Sequence, residues 1–176
     1  RNQVVQVAAR GNNNNTANFV PSTIRDEYIL SVGASKTDGE KSPFSSYGRE
    51  MDVIAPGVLA MIQTTDTTVN GQAQYISFNG TSAAAPHVAG VAALMLSRIN
   101  PLIGYDDLSP EDVEHMLQWT ATDKNVVGYD DLTGYGLVHA GRVLDRLDTA
   151  KYRIQHYTST VVLDTLSTPV STGIIK

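Results

Sequence analysis

The residue types that could do covalent chemistry are gathered in Asn79-Gly80-Thr81-Ser82-Ala83-Ala84-Ala85-Pro86-His87-Val88-Ala89-Gly90. One serine stands among small residues, and the chain runs on into Val91-Ala92-Ala93-Leu94-Met95-Leu96. Alanine has the highest helix propensity of any residue. Gly80-Thr81 allows a tight approach, and Pro86 is expected within about the first turn, where a missing N–H costs little. Ser82 is therefore expected at the N-terminus of a buried helix. Unpaired N–H groups and the positive end of the peptide dipole would face its hydroxyl and any anion forming beside it. That arrangement presents a nucleophile, and the small neighbours leave room for a substrate backbone. The simpler reading is an ordinary N-cap serine on a core helix.

The spelling Asn-Gly-Thr-Ser-x-Ala-x-Pro-His-Val-Ala-Gly is longer than a cap requires, and it resembles the nucleophile motif of the subtilisin-like serine proteases, the subtilases. The resemblance implies that Ser82 attacks a peptide carbonyl and forms an acyl-enzyme. Upstream, the β-branched run Val4-Val5-Gln6-Val7-Ala8-Ala9 predicts a buried strand, ending in a loop at Arg10-Gly11-Asn12. Strand-Ala-Ala-x-Gly-Asn is similar to the family segment that carries the oxyanion-hole asparagine, which maps onto Asn12. By that resemblance the Asn12 amide, the Ser82 N–H and the Thr81 hydroxyl hold the tetrahedral oxyanion. Ala8, Ala9, Arg10, Gly11 and Gly80 would line the substrate cleft, with a peptide added along the strand edge. Arg10 departs from the family's usual small residue and is expected to point to solvent. Phe19 or Val20, ahead of Pro21, would approach the pocket floor.

Around these residues the sequence places a scaffold. Tyr28 to Ser35 predicts a parallel strand, and Met51 to Gly57 another, closed by Pro56-Gly57. The second resembles the family's Asp-Val-x-Ala-Pro-Gly element and reads as scaffold, Asp52 included. Ala60–Thr64 and Gln74–Phe78 predict two antiparallel strands joined by a polar loop over 66–73. The helix from Ala83 to Arg98 is apolar on nearly every face and should be covered all round. Ser109-Pro110-Glu111-Asp112 starts the next helix, with a serine cap, proline at the first position and acids in the first turn. Val113, Met116, Leu117 and Trp119 keep helical spacing along it. Thr133 to Ala140 resembles the close of the family's catalytic domain, and a short helix from Ala140 to Leu147 would finish it.

The fold class is therefore α/β, a three-layer parallel-sheet subtilisin-like fold of which this chain carries the C-terminal half. Residues 1–149 form that half. Residues 150–176 form an extension or the start of an appended β region, with strand character at Tyr152–Tyr157 and Thr160–Leu163.

A serine nucleophile needs a base and an acid to orient that base. All four histidines, His87, His115, His139 and His156, follow Ser82. The subtilisin order is Asp, His, Ser, so that triad cannot be completed within these residues. His87 lies five residues past Ser82 and points about 140° away at roughly 3.6 residues per turn; it reads as structural, and His115 as a surface residue. An order Ser82, Asp130 or Asp131, His139 would suit an α/β-hydrolase, but Ala84 occupies the last glycine of that fold's Gly-x-Ser-x-Gly. The expected partner is thus an N-terminal half of the same peptidase domain, bringing Asp and His, and the substrate is a polypeptide. A non-catalytic split or degenerate subunit is the alternative.

The composition narrows the classes further. A net charge of −5 over 176 residues, with no basic run, argues against nucleic acid as the main partner. The absence of cysteine excludes disulfides and thiol chemistry. No run is long and apolar enough to span a membrane. Arg1-Asn2-Gln3 is neither a signal peptide nor a starting methionine; it reads as the middle of something, with a secreted location implied by the resemblance. No cofactor is required by this chemistry. The resemblance implies a structural calcium near Asp26-Glu27, since a loop there binds a metal in some members of the family, although two adjacent acids usually form a solvated surface.

Overall fold

The computed structural model describes residues 4–24, 29–58, 63–69, 72–98, 108–148, 153–157 and 160–164. A parallel sheet forms from β1 (Gln6–Ala9), β2 (Ile29–Ser35) and β3 (Val53–Pro56), in that spatial order. The register sets Ala9 beside Val32 and Val32 beside Val53. From Leu30 on, β2 is buried at every position, as a parallel strand covered on both faces must be. Beyond β1, the Arg10 N–H continues the ladder to the Val32 carbonyl at 2.9 Å. On the far side, Leu137 bridges Ile54 in parallel and Thr122 in antiparallel sense.

Helix α1 (Thr81–Ser97) packs across all three strands, and α2 (Pro110–Thr120) and α3 (Ala140–Asp148) pack beside it. Val88, Val91 and Met95 of α1 join Leu30, Val32 and Val53 of the sheet in one core. Val113 and Leu117 of α2, with Val143 and Leu147 of α3, complete it. The architecture is α/β. The start of α2 follows its sequence signal closely. Ser109 Oγ accepts from the Asp112 N–H at 3.1 Å, while Asp112 accepts from the Ser109 N–H at 2.9 Å, with Pro110 at the first helical position.

Three expectations need correction. First, α1 begins at Thr81, with Gly80 as its N-cap at φ 131°. Pro86 is thus its sixth residue and lies beyond the four N–H groups that lack helical partners anyway. Its missing N–H leaves the Ser82 carbonyl, four residues back, without a helical hydrogen bond. Second, α1 is not covered all round. Pro86, His87, Ala89, Gly90, Ala93 and Leu94 are exposed, because a three-stranded sheet and two flanking helices cover only one side.

Third, β4 (Gln63–Val69) and β5 (Gln72–Ser77) pair antiparallel and consume most of the expected polar loop. The threonines of Gln63-Thr64-Thr65-Asp66-Thr67-Thr68-Val69 suit extended backbone. A register shift between Asp66 and Val69 absorbs the irregularity. Trp119 keeps helical spacing, as expected, and is 56% exposed, with the Arg146 guanidinium 4.7 Å from its ring centroid. At the C-terminal end, β6 (Arg153–Tyr157) and β7 (Thr160–Asp164) form an antiparallel hairpin.

Candidate active site

Ser82 occupies the second position of α1 and is exposed between the buried Thr81 and Ala83. Helix hydrogen bonding begins just after it, where the Ala83 and Ala84 N–H groups reach the Gly80 carbonyl at 2.9 and 3.2 Å. The Ser82 N–H makes no hydrogen bond among the described residues. Gly57 and Gly80 bring the helix start down onto the end of the sheet: the Gly80 N–H donates to the Gly57 carbonyl at 2.7 Å. A Cβ on Gly57 would run into the Cβ of Ala34, so only glycine permits this approach.

Asn12 reaches the same point from β1. Its Oδ1 accepts from the Thr81 N–H at 2.9 Å and from the Thr81 hydroxyl at 3.0 Å. A backbone N–H can only donate, so the amide oxygen must face Thr81, and Nδ2 is left as a donor. Nδ2 lies over Gly80, 3.1 Å from where a Cβ would stand. The Thr81 oxygen in turn accepts from the Gly11 N–H at 3.1 Å. Two donors of Thr81 therefore fix the Asn12 amide, and the Gly11 N–H holds the Thr81 hydroxyl, one residue before the exposed Ser82. The one O–H proton of Thr81 is committed to Asn12, and the residue is buried. Its expected direct contact with an oxyanion is corrected to holding Asn12.

Ala8 is buried, and Ala9 and Gly11 are half-buried along the β1 side of the site. Gly11 has φ 109°, and a Cβ there would lie 2.9 Å from the Phe19 ring. Phe19 therefore packs on the turn that carries Asn12, while Val20 is 77% exposed. Of the two candidates for a pocket floor, only Phe19 packs against that turn.

Arg10 does not point to solvent; it is 0% exposed. Its Nη2 donates to the Tyr47 carbonyl at 2.7 Å and lies 3.6 Å from Glu50 Oε2, and Nη1 donates to the Ala17 carbonyl at 3.2 Å. Burial pulls the guanidinium below its ordinary value, opposed by the Glu50 carboxylate. Ala8 and Arg10 lie two residues apart and are both buried, while Gln6, two residues before Ala8, is exposed, so strand alternation alone does not announce this placement.

Two of the described histidines make local hydrogen bonds. His87 Nδ1 sits 2.8 Å from the Ala83 carbonyl of its own helix. His139 Nδ1 accepts from the Arg142 N–H at 3.2 Å, at the start of α3. Asp130 is held by Thr133 and Leu132 within its turn. Among the described residues no hydrogen bond joins His139 to Ser82, so the α/β-hydrolase order has no geometric support. Asp26 and Glu27 lie outside the described residues. Among those described, no group of three or more acids or histidines could hold a metal. A shallow cavity of about 490 Å³ between α2 and α3, lined by Trp119, Arg142, Asp145 and Arg146, shares no residue with this site.

Asp52 is more than a strand residue. Burial raises its carboxyl to about 6, against hydrogen bonds from the Ser31 N–H at 2.6 Å and Gln118 Nε2 at 3.0 Å. It ties β3 to β2 and α2, below the site.

A model of the subtilase family matches residues 1–136. The thermostable alkaline protease of Halalkalibacterium halodurans is 37% identical over 139 residues, which are 79% of this chain and 34% of that protein. Subtilisin DY of Bacillus licheniformis is 36% identical over 138 residues, 77% of this chain and 45% of that protein. The crystal structure of a lanthipeptide protease superposes with a TM-score of 0.72 at 29% identity, covering 82% of this chain and 51% of that one. The chain thus spans about a third to a half of the length of these relatives.

Proposed function

The chain belongs to the subtilase family, and from that premise we propose that it supplies the nucleophile half of a serine endopeptidase. The observation that carries the reading is the amide of Asn12, fixed by Thr81 and pointed away from it, beside an exposed Ser82. The Ser82 hydroxyl attacks the scissile carbonyl and passes its proton to a histidine. The carbonyl oxygen becomes an oxyanion, held by Asn12 Nδ2 and the Ser82 N–H. Collapse expels the amine, which takes the proton from that histidine, and leaves an acyl-enzyme that water hydrolyses. The histidine and its orienting aspartate come from an N-terminal half of the peptidase domain. The exposed apolar side of α1 and the outer edge of β1 are where such a half would be covered by, and would cover, this one. By itself the chain is inert. The reading places the assembled enzyme outside the cell, acting on polypeptides, without a required cofactor.

A second reading, a non-catalytic binding subunit, draws on the local bonds that occupy His87 and His139. A fluorophosphonate probe separates the two. Mixed with a matched N-terminal half, the chain should be labelled at Ser82, and Ser82→Ala should not. Absence of labelling in a folded complex would overturn the peptidase reading.

A further inference from the structure

Arg10 is a charged side chain with no exposed surface, placed one residue from the Gly11-Asn12 turn. Its guanidinium bridges two segments that are distant in sequence. One is the loop leaving Asn12, reached at the Ala17 carbonyl; the other is the stretch at Tyr47 and Glu50. Further bonds clip the same two segments together. The Asn13 N–H donates to Ser46 Oγ at 3.1 Å, the Asn14 N–H to the Phe44 carbonyl at 2.8 Å, and the Tyr47 N–H to the Asn15 carbonyl at 3.0 Å. Gly48 makes room for the cation: at φ 132°, a Cβ there would stand 2.8 Å from Arg10 Nη2.

The loop that Arg10 fastens ends at Phe19, two residues beyond Ala17, and Phe19 lies against Gly11. We propose that Arg10 is a positioning residue that sets the place of Phe19 against the Asn12 turn, and thereby the choice of substrate side chain ahead of the scissile bond. This rests on the peptidase reading for its consequence, but the placement itself belongs to this chain alone. The guanidinium suits the task because its rigid fork reaches two carbonyls and a carboxylate at once. A lysine offers one compact charge, and a methionine offers only bulk.

The test uses the chain combined with its N-terminal half and a panel of peptides that differ only at the residue ahead of the cleaved bond. Arg10→Met and Phe19→Ala should each shift the ratio of kcat/KM between large and small residues there by about tenfold, in the same direction. The double variant should shift it little further, and Arg10→Lys should restore part of it. If Arg10→Met lowers all substrates equally and leaves the ratios unchanged, the residue is merely structural and the proposal fails. If the wild-type complex shows no Ser82-dependent cleavage, the peptidase reading fails instead. Hydrogen exchange on the chain then decides the role of Arg10. Faster exchange at Asn13, Asn14 and Ala17 in Arg10→Met, with α1 unaffected, supports it; unchanged exchange there overturns it.

Discussion

Asn12 Oδ1 receives two hydrogen bonds from the one residue Thr81, at 2.9 Å from its N–H and 3.0 Å from its hydroxyl. Thr81 immediately precedes Ser82. Ser82 and the Asn12 amide are thus registered to each other through a shared neighbour, with no direct bond between them.

Orientation and donation can be separated at this pair. In Asn12→Asp the carboxylate keeps an acceptor for Thr81 but loses the N–H₂ donor. Turnover in the assembled protease should fall by about 10²–10³, the loss known for the equivalent donor in subtilisin itself. KM should change little, and stability should stay close to wild type. Steady-state kinetics and urea unfolding on the same samples check both halves. A variant with normal turnover would remove Asn12 from the oxyanion site.

Gly80→Ala should harm both stability and turnover. The backbone at φ 131° is one that L side chains rarely adopt, and the new Cβ would press on Asn12 Nδ2 from 3.1 Å. Strain of this kind costs about 1–3 kcal/mol. Urea denaturation should show that loss, and fluorophosphonate labelling of Ser82 in the assembled complex should slow. Gly90→Ala is the control. A Cβ there meets nothing within 4 Å, so alanine in mid-helix should be neutral or gain up to about 1 kcal/mol in the chain alone.

Asp52 gives the chain a pH signature. Its carboxyl stands at about 6 in the fold against an ordinary 3.8, so the folded chain holds this proton more tightly than the unfolded one. A raised acid stabilises the fold fully below about pH 4, and that contribution is lost as pH rises through about 6. Two pKa units correspond to about 3 kcal/mol at most. Asp52→Asn cannot titrate. From pH 4 to 7 the stability difference between the two proteins should therefore move in favour of asparagine by about 2–3 kcal/mol. Urea unfolding across that range measures it, and a constant difference would show that Asp52 titrates normally.

How much is legible in the residues alone follows from how far each signal reaches along the chain. The start of α2 is legible because Ser109, Pro110 and Asp112 settle it among themselves. Ser82 and Asn12 are legible because the residues flanking each one carry a family spelling. The task of Thr81 is not, since its partners Gly11 and Asn12 lie 70 and 69 residues away. Arg10 is misleading for the same reason. The carbonyl and carboxylate that justify burying it belong to Tyr47 and Glu50, and nothing near Arg10 announces them. The exposed side of α1 is hidden differently. Its composition asks for cover, and only the three-stranded sheet shows how little cover these residues provide. Asp52 reads as scaffold from its strand, and its raised carboxyl emerges only once the fold buries it, against the hydrogen bonds from Ser31 and Gln118.

The 69-residue span between Asn12 and Thr81 also bears on timing. Helix α1 can wind locally and display its serine early, whereas the amide arrives only after the intervening chain has closed into the sheet. A half-folded copy would carry a hydroxyl with nowhere to put developing negative charge. On the peptidase reading, cleavage would then wait for completed tertiary structure.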